Sequence, residues 1–323
     1  VKRITPMLIK RLVLPAVILL FGVSATHRAS NIKGHVNAEA IEGRWDITIQ
    51  MNGKELPSWL EVTHSGIKTL VGQFVGTGGS ARPISKVNFE GGKFSFSIPP
   101  QWEREENDLK VEGTLDGDNL SGTMTMPNGK TYNWTGTRAP SLRREKQPVW
   151  GSPIKLFNDK NMDGWKTTGT NQWVVEGGVL KSPKSGANIF TTQTFNDFKL
   201  HIEFRYPKES NSGVYLRGRY EVQIEDSKEG EEPPKGTLGA VYGFIAPSER
   251  AVKGPGEWQS YDITLVGRMV SVVCNGKQII CNQEIPGITG GAIDSKEAEP
   301  GPIYMQGDHG PIEFRNIIIT PAK

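Results

Sequence analysis

From residue 41 to the C-terminus, apolar and polar residues alternate in short runs broken by Gly, Asn and Asp, and no stretch shows helical spacing of comparable quality. In the first part the runs are Arg44–Gln50, Leu60–Val62, Thr69–Phe74, Lys86–Phe89, Lys93–Ile98, Leu109–Leu115, Asn119–Met126 and Thr131–Thr137. Turn pairs such as Gly91-Gly92, Asp116-Gly117 and Asn128-Gly129 separate them, which predicts an antiparallel meander of about eight strands over residues 41–138. The opening Gly43-x-Trp45 and the sequential hairpins suit a small lipocalin-like β-barrel, with an open sandwich as the alternative. Trp45, Trp59, Trp102 and Trp134 would fill its core, or line a cavity within it.

Residues 139–153, rich in Pro, Arg, Lys and Ser, carry no period and form the expected linker. A second β-rich region follows over residues 154–320. Its clearest strand is Phe198–Tyr206, where Phe198, Leu200, Ile202 and Phe204 alternate with polar residues, as a strand with one buried face requires. The predicted class is all-β with two domains, which suits a chain of 323 residues with 38 Gly and 21 Pro. A net charge of +3 gives no reason to expect a nucleic-acid partner.

The N-terminus changes the picture of location. Lys2, Arg3, Lys10 and Arg11 precede an apolar run, Leu12–Val23, and the small-residue site Val23-Ser24-Ala25, so residues 1–25 read as a cleaved signal peptide. The run is too short to span a bilayer, and no Cys follows it to carry a lipid. The expected location is periplasmic or secreted, with no stable membrane span in the mature protein. Export favours a disulfide between Cys274 and Cys281. However, the Asn275-Gly276 turn sets Cys274 opposite Lys277 and Val270 opposite Cys281, which predicts two buried free thiols instead.

Several motifs fail on inspection. The run Gly76–Ala81 matches the letters of a dinucleotide fingerprint, but Arg82-Pro83 stands where the phosphate-binding helix should begin, so it reads as a glycine-rich hairpin loop. Asp159-x-Asn161-x-Asp163-Gly164 resembles the start of a calcium loop, but Thr170 occupies the twelfth position, and an Asx-rich turn is the better reading. There is no Gly-x-Ser-x-Gly elbow and no His-Glu-x-x-His pair.

Pleat parity yields the candidate site. If Phe198, Leu200, Ile202 and Phe204 face a core, His201, Glu203 and Arg205 face away. The same logic puts Tyr215 and Arg217 opposite Val214 and Leu216, and sets Glu221, Gln223 and Glu225 opposite Val222 and Ile224. In the last strand it places Glu313 and Arg315 opposite Ile312 and Phe314. One polar face is therefore expected to carry these residues, either as solvated cross-strand charge pairs or as a groove. Arg205, Arg217 and Arg315 without a lysine favour a groove for a hydroxyl-rich ligand, since guanidinium groups present rigid planar donors.

The ordered set Leu156–Trp165, Trp173–Leu180, Phe198–Arg205, Asn211–Arg217, Tyr220–Asp226, Gly256-Glu257-Trp258, the Asn275-Gly276 turn, Met305–Gly310 and Phe314–Ile317 resembles the 3-keto-disaccharide hydrolase family. The resemblance covers nearly all of residues 154–319. It implies a concanavalin A-like jelly-roll sandwich acting on an oligosaccharide or glycoside whose C3 hydroxyl has been oxidised. This chain departs from the pattern at Gln259, where the family often has Asn, and in having Gly307 and Asp308 between Gln306 and His309.

A C3 ketone acidifies the C2 proton, so a base can remove it, the C1 oxygen can leave by β-elimination, and water can add back to give net hydrolysis. His309 is the leading base or acid, because histidine titrates near working pH; Glu203 and Glu221 are its rivals, and Asp226 is a weaker candidate. Arg205, Tyr215, Arg217, Gln223, Trp258, Gln306 and Arg315 would bind the sugar. No cofactor is expected, and a divalent ion held by His309 and nearby carboxylates stays open. Conventional two-carboxylate hydrolysis and lectin-like binding without cleavage are the alternatives.

Overall fold

A computed structural model describes residues 40–101, 103–227 and 235–323. The expected signal peptide, nearly all of residues 26–40, and Trp102 lie outside the described residues. Those described contain no α-helix, and thus none long and apolar enough to cross a membrane.

Among them, β1 (Gly43–Met51), β2 (Lys54–Ser65), β3 (Thr69–Val75), β4 (Arg82–Glu90), β5 (Lys93–Ile98), β6 (Leu109–Asp116), β7 (Asn119–Thr125) and β8 (Thr131–Arg138) pair in sequence. β8 also pairs with β1, which closes an eight-stranded antiparallel barrel. The expected meander is there, and the open sandwich is not. β2 and β4 are longer than the alternation predicts, each reaching back through a proline, Pro57 or Pro83.

Two neighbouring rows of residues across β1, β2 and β3 show how the barrel uses both its faces. Trp45, Leu60 and Phe74 lie side by side in register and fill the barrel interior. The adjacent row, Asp46, Trp59 and Val75, points outward in the opposite pleat, yet it too is buried. Trp59 and Val75 belong to the core of the second region, where the Trp59 ring meets Phe244 edge-on at 5.2 Å. Trp59 lies so close to Gly287 that a Cβ there would sit 2.1 Å from its Nε1. Truncating an aromatic ring this deeply buried costs about 3–5 kcal/mol.

The second region is a sandwich. Its strands are β9 (Ile154–Lys155), β10 (Trp165–Thr167), β11 (Val174–Glu176), β12 (Val179–Ser182), β13 (Ile189–Thr191), β14 (Phe198–Arg205), β15 (Asn211–Leu216), β16 (Tyr220–Glu225), β17 (Gln259–Val266), β18 (Met269–Cys274), β19 (Lys277–Glu284), β20 (Tyr304–Met305) and β21 (Ile312–Pro321). One five-stranded sheet runs β10-β13-β20-β15-β16. The other runs β11-β12-β21-β14-β17-β18-β19, with β9 also paired to β21. Phe198, Leu200, Ile202 and Phe204 of β14 meet Val214, Leu216, Val222 and Ile224 of the five-stranded sheet in one core between them.

Residues 139–153 are strapped down on this sandwich. Arg144 grips Asp197 with two nitrogens at 2.6 and 3.1 Å, and Arg268 donates to the Pro140 carbonyl at 2.8 Å. The segment following Phe157 is the Asx turn that its sequence suggests: Asn158 Oδ1 accepts from the amides of Lys160 and Asn161, both at 2.9 Å.

Cys274 and Cys281 are both free. Their environment needs a correction, because only Cys274 is buried. Cys274 opposes Lys277 as the turn dictates, but Val270 opposes Gln283 rather than Cys281. Irregularities in the β18–β19 register, with Asn282 in the left-handed region at φ 45°, re-aim the strand and leave Cys281 exposed.

Candidate functional site

β15 and β16 form a hairpin of the five-stranded sheet whose outward side chains include Tyr215, Glu221 and Gln223. Tyr215 stands opposite Glu221 in register. The Glu221 side chain lies across Gly213, where a Cβ would sit 2.2 Å from its Oε1; this is a close approach that only glycine permits. The edge of β16 is covered by a return segment, in which Ala240 accepts from the Gln223 amide at 2.9 Å and the Tyr242 amide donates to the Glu221 carbonyl at 3.0 Å. The result is a pocket of about 240 Å³ over Tyr215, Glu221 and Gln223, also lined by Asn188, Asn211, Tyr242, Tyr304, Gln306, Asp308 and His309.

The loop after β20 is well anchored despite its departure from the family pattern. Asn188 Oδ1 accepts from the amides of Gly307 at 2.7 Å and Asp308 at 3.1 Å, while its Nδ2 donates to Tyr304 Oη at 2.6 Å. The Gln306 amide donates to Gly213 at 3.0 Å, which ties the loop to β15. His309 Nδ1 pairs with Asp308 Oδ1 at 2.7 Å, and both side chains are about half exposed at the pocket rim. The other departure, Gln259, is structural: its buried side chain accepts from the Lys253 amide and Asn275 Nδ2, both at 3.1 Å.

The electrostatics single out Glu221. Burial pushes its pKa up to about 8; the Tyr215 hydroxyl works against that rise, and the Asp308 carboxylate adds to it. Among the described residues no cation is paired with it. Tyr215 Oη lies 3.0 Å from both Glu221 Oε2 and the Gly290 carbonyl, and a tyrosine has only a single proton to give. Both contacts are satisfied at once when Glu221 is protonated, because it then donates to Tyr215 while Tyr215 donates to Gly290. Burial likewise raises Tyr215, and it pushes Tyr304 up to about 12, so both hydroxyls stay protonated. Gln306 Oε1 is buried with no protein partner among the described residues.

The expected convergence of one polar face does not occur. Glu203, Arg205 and Arg315 lie on the outer face of the other sheet, on β14 and β21. There Arg315 Nε donates to Glu203 Oε2 at 2.6 Å, Arg205 Nε donates to Glu313 Oε2 at 2.6 Å, and both guanidinium groups stack on Trp258, at 3.9 and 4.8 Å. Burial alone would raise Glu203, but hydrogen bonds from Asn316 and Arg315, with the charges of Arg315 and His201, hold it below the usual carboxylate range. Lysines do share this face: Lys181 lies 3.7 Å from Glu313, and Lys199 covers the Trp150 ring at 4.9 Å.

Arg217 is elsewhere again. It begins the β15–β16 turn in the left-handed region, φ 53° beside Gly218 at φ 68°, so strand parity ends at Leu216. Its buried guanidinium donates to Tyr220 Oη at 2.9 Å and the Glu297 carbonyl at 2.6 Å. Asp226 accepts from the Glu209 amide at 2.8 Å and does not line the pocket. Thus the structure gathers Tyr215, Glu221, Gln223, Gln306 and His309, and separates Glu203, Arg205, Trp258 and Arg315 from them. Residues missed by sequence reasoning are Asn188, Tyr242, Tyr304 and Gly290, which reach the site from other strands and loops with no local motif. Among the described residues no cluster of three or more His, Cys, Asp or Glu is placed to hold a metal ion.

An all-β sandwich carrying a small pocket of hydroxyl, amide and carboxyl groups defines the class as a carbohydrate-active enzyme. More narrowly, residues 152–320 match the family model described as 3-keto-alpha-glucoside-1,2-lyase-like domain, and the chain belongs to that family. Among solved structures, a candidate glycosyl hydrolase from Parabacteroides distasonis ATCC 8503 is 30% identical, over 57% of this chain and 96% of its own, with a TM-score of 0.45. A second from the same organism is 27% identical, over 52% of this chain and 98% of its own, with a TM-score of 0.42. No curated protein matches.

Proposed function

We propose that the Tyr215–Glu221–His309 pocket cleaves 3-keto-glycosides by elimination across C1 and C2, within a jelly-roll sandwich of the concanavalin type. The observation that carries this reading is Glu221, a buried carboxyl with no cation partner among the described residues, whose pKa of about 8 keeps it protonated at neutral pH in the pocket that also holds a histidine–aspartate pair. The two groups divide acid and base work between them.

His309, oriented by Asp308, takes the C2 proton of the keto sugar. The C2–H electron pair becomes the C2–C3 double bond of an enolate, whose oxygen is stabilised by the hydroxyl and amide donors around it. Collapse of the enolate restores the C3 ketone, forms a C1–C2 double bond and breaks the C1–O bond. Glu221 gives its proton to the departing oxygen. Water then adds across the double bond: its OH goes to C1, its other proton to the Glu221 carboxylate, and the proton held by His309 to C2. The product before hydration is the unsaturated keto sugar that a 1,2-lyase releases.

Gly291 and Tyr304 are shared with a second groove of about 570 Å³, which extends over β10 and β13 past Lys166 and Phe190 and offers room for the leaving group. Incubating the protein with a disaccharide and with its 3-keto counterpart tests the reading. Cleavage of the oxidised sugar alone supports it; cleavage of both favours conventional hydrolysis, and binding without cleavage favours a lectin.

A further inference from the structure

The family match begins at residue 152, and the barrel lies wholly before it. Nevertheless, two residues of the barrel line the pocket. They are Gly78 and Gly79, in the glycine-rich loop Gly76–Ala81 between β3 and β4. This loop touches the sandwich backbone to backbone. A Cβ at Gly290 would sit 2.1 Å from the Gly79 carbonyl oxygen, and one at Gly243 would sit 2.8 Å from the Ala81 nitrogen. Approaches that close exist only because Gly290 and Gly243 lack side chains.

The contact leads straight to the acid group. Gly290 is pressed by Gly79 on one side and on the other accepts from Tyr215, which meets Glu221. The barrel is held in place for this. Trp59 is locked against Phe244, and Ser295 Oγ donates to the Ile47 carbonyl at 2.5 Å. Asp46 of β1 is kept protonated by burial and the Glu297 carboxylate, so it can share its proton with Glu297 across the contact.

We propose that the barrel is a working part of this site: its Gly76–Ala81 loop is the wall of the sugar pocket and sets the size of the unit admitted. The inference rests on the sugar-site reading above. A pocket of about 240 Å³ falls below the size of sites that enclose drug-sized ligands, and so fits a single ring. The wall closes the pocket beside Gly78 and Gly79, while the side at Gly291 and Tyr304 opens into the larger groove. A terminal keto-sugar unit enters this arrangement, and a unit inside a polymer does not.

Gly78 makes the wall testable. It is not in the left-handed region, and a Cβ there meets nothing within 4 Å, so a side chain is accepted without strain or clash. In a Cys281→Ser background, Gly78→Cys provides one reactive thiol, because Cys274 is buried with its thiol pushed up to about 12. The full chain carrying Gly78→Cys is labelled with N-ethylmaleimide, with and without methyl 3-keto-α-glucoside or methyl α-glucoside, and assayed for cleavage of the keto sugar before and after labelling. The expected result is that the label lowers kcat/KM about tenfold or more. A glycoside at ten times its Kd should in turn slow labelling about tenfold. Cleavage that is unaffected by the label, with no protection by sugar, overturns the wall and leaves the chemistry standing. Protection without any cleavage keeps the wall and removes the chemistry, and a protein that neither cleaves the keto sugar nor is protected by either glycoside removes both.

Discussion

The two outer faces of the sandwich carry the same residue types and treat them in opposite ways. On the eight-stranded sheet, Glu203 is clasped by Arg315 and Asn316 near the surface and held below the usual carboxylate range. On the five-stranded sheet, Glu221 is buried beside Tyr215 with no cation paired to it among the described residues, and it is pushed up to about 8. A carboxylate that has its cation is already satisfied and has little to exchange with a substrate. One that burial keeps protonated at neutral pH holds a proton it can deliver, which is what the proposed acid needs and a surface ion pair lacks.

The sharpest break of the comparison is substitution at each carboxyl. Glu221→Gln keeps the shape and the hydrogen bond to Tyr215 but cannot give a proton, so kcat on a 3-keto-glycoside should fall about 10²–10⁴-fold with circular dichroism unchanged. An active Glu221→Gln enzyme would move the acid to another group. Next in size is Gly213→Ala. Its methyl would stand where Glu221 Oε1 lies, at 2.2 Å, and must push the carboxyl aside. A displacement of about 1 Å in a catalytic group costs about 10²-fold, and kcat should suffer rather than KM.

Strand parity made part of this legible. Within β15 and β16 it assigned Tyr215, Glu221 and Gln223 to one side, and the structure puts all three in the pocket. Parity reports which side of its own sheet a residue occupies, however, and is silent on which sheet the strand joins. The chain leaves β14 at Arg205 and enters β15 at Asn211 on the opposite sheet, so two polar faces that looked continuous point away from each other. The barrel loop teaches the same lesson. Gly76–Ala81 is the glycine-rich connection its sequence suggests, but its contact with Gly290 depends on the docking of Trp59 against Phe244, which no local pattern encodes. Likewise the Asn275-Gly276 turn sets the start of the β18–β19 register, and the irregularities beyond it have no such turn pair to mark them.

The pH dependence sharpens the contrast. As an acid, Glu221 works while protonated, so kcat/KM should fall tenfold per pH unit above about 8, and that alkaline limb should be missing from the residual activity of Glu221→Gln. Stability carries the opposite sign from the usual carboxylate. Because the folded pKa is raised, the native state binds more protons than the unfolded state between the ordinary carboxylate range and about 8, and stability falls as pH rises through that window. Thermal melts should therefore show Glu221→Gln gaining on the parent as pH climbs from 5 to about 9. A constant difference in Tm across that range would mean that the carboxyl is ionised throughout.

Glu203→Ala should give the smallest effect and the cleanest control. The residue is on the sheet face away from the pocket, and Arg315 keeps its stack on Trp258 at 3.9 Å when the carboxylate is lost. An ion pair this near the surface is worth about 0–1 kcal/mol, so Tm should drop slightly and kcat/KM should stay within about twofold of the parent. Its pH signature runs opposite to that of Glu221. With the folded pKa lowered, the stabilising contribution is present above the ordinary carboxylate range and disappears as pH falls below it. Parent and Glu203→Ala should then differ at neutral pH and converge in acid, where Arg315 faces an uncharged partner in either protein. A large loss of activity in Glu203→Ala would reverse the roles of the two faces and place the chemistry on the eight-stranded sheet.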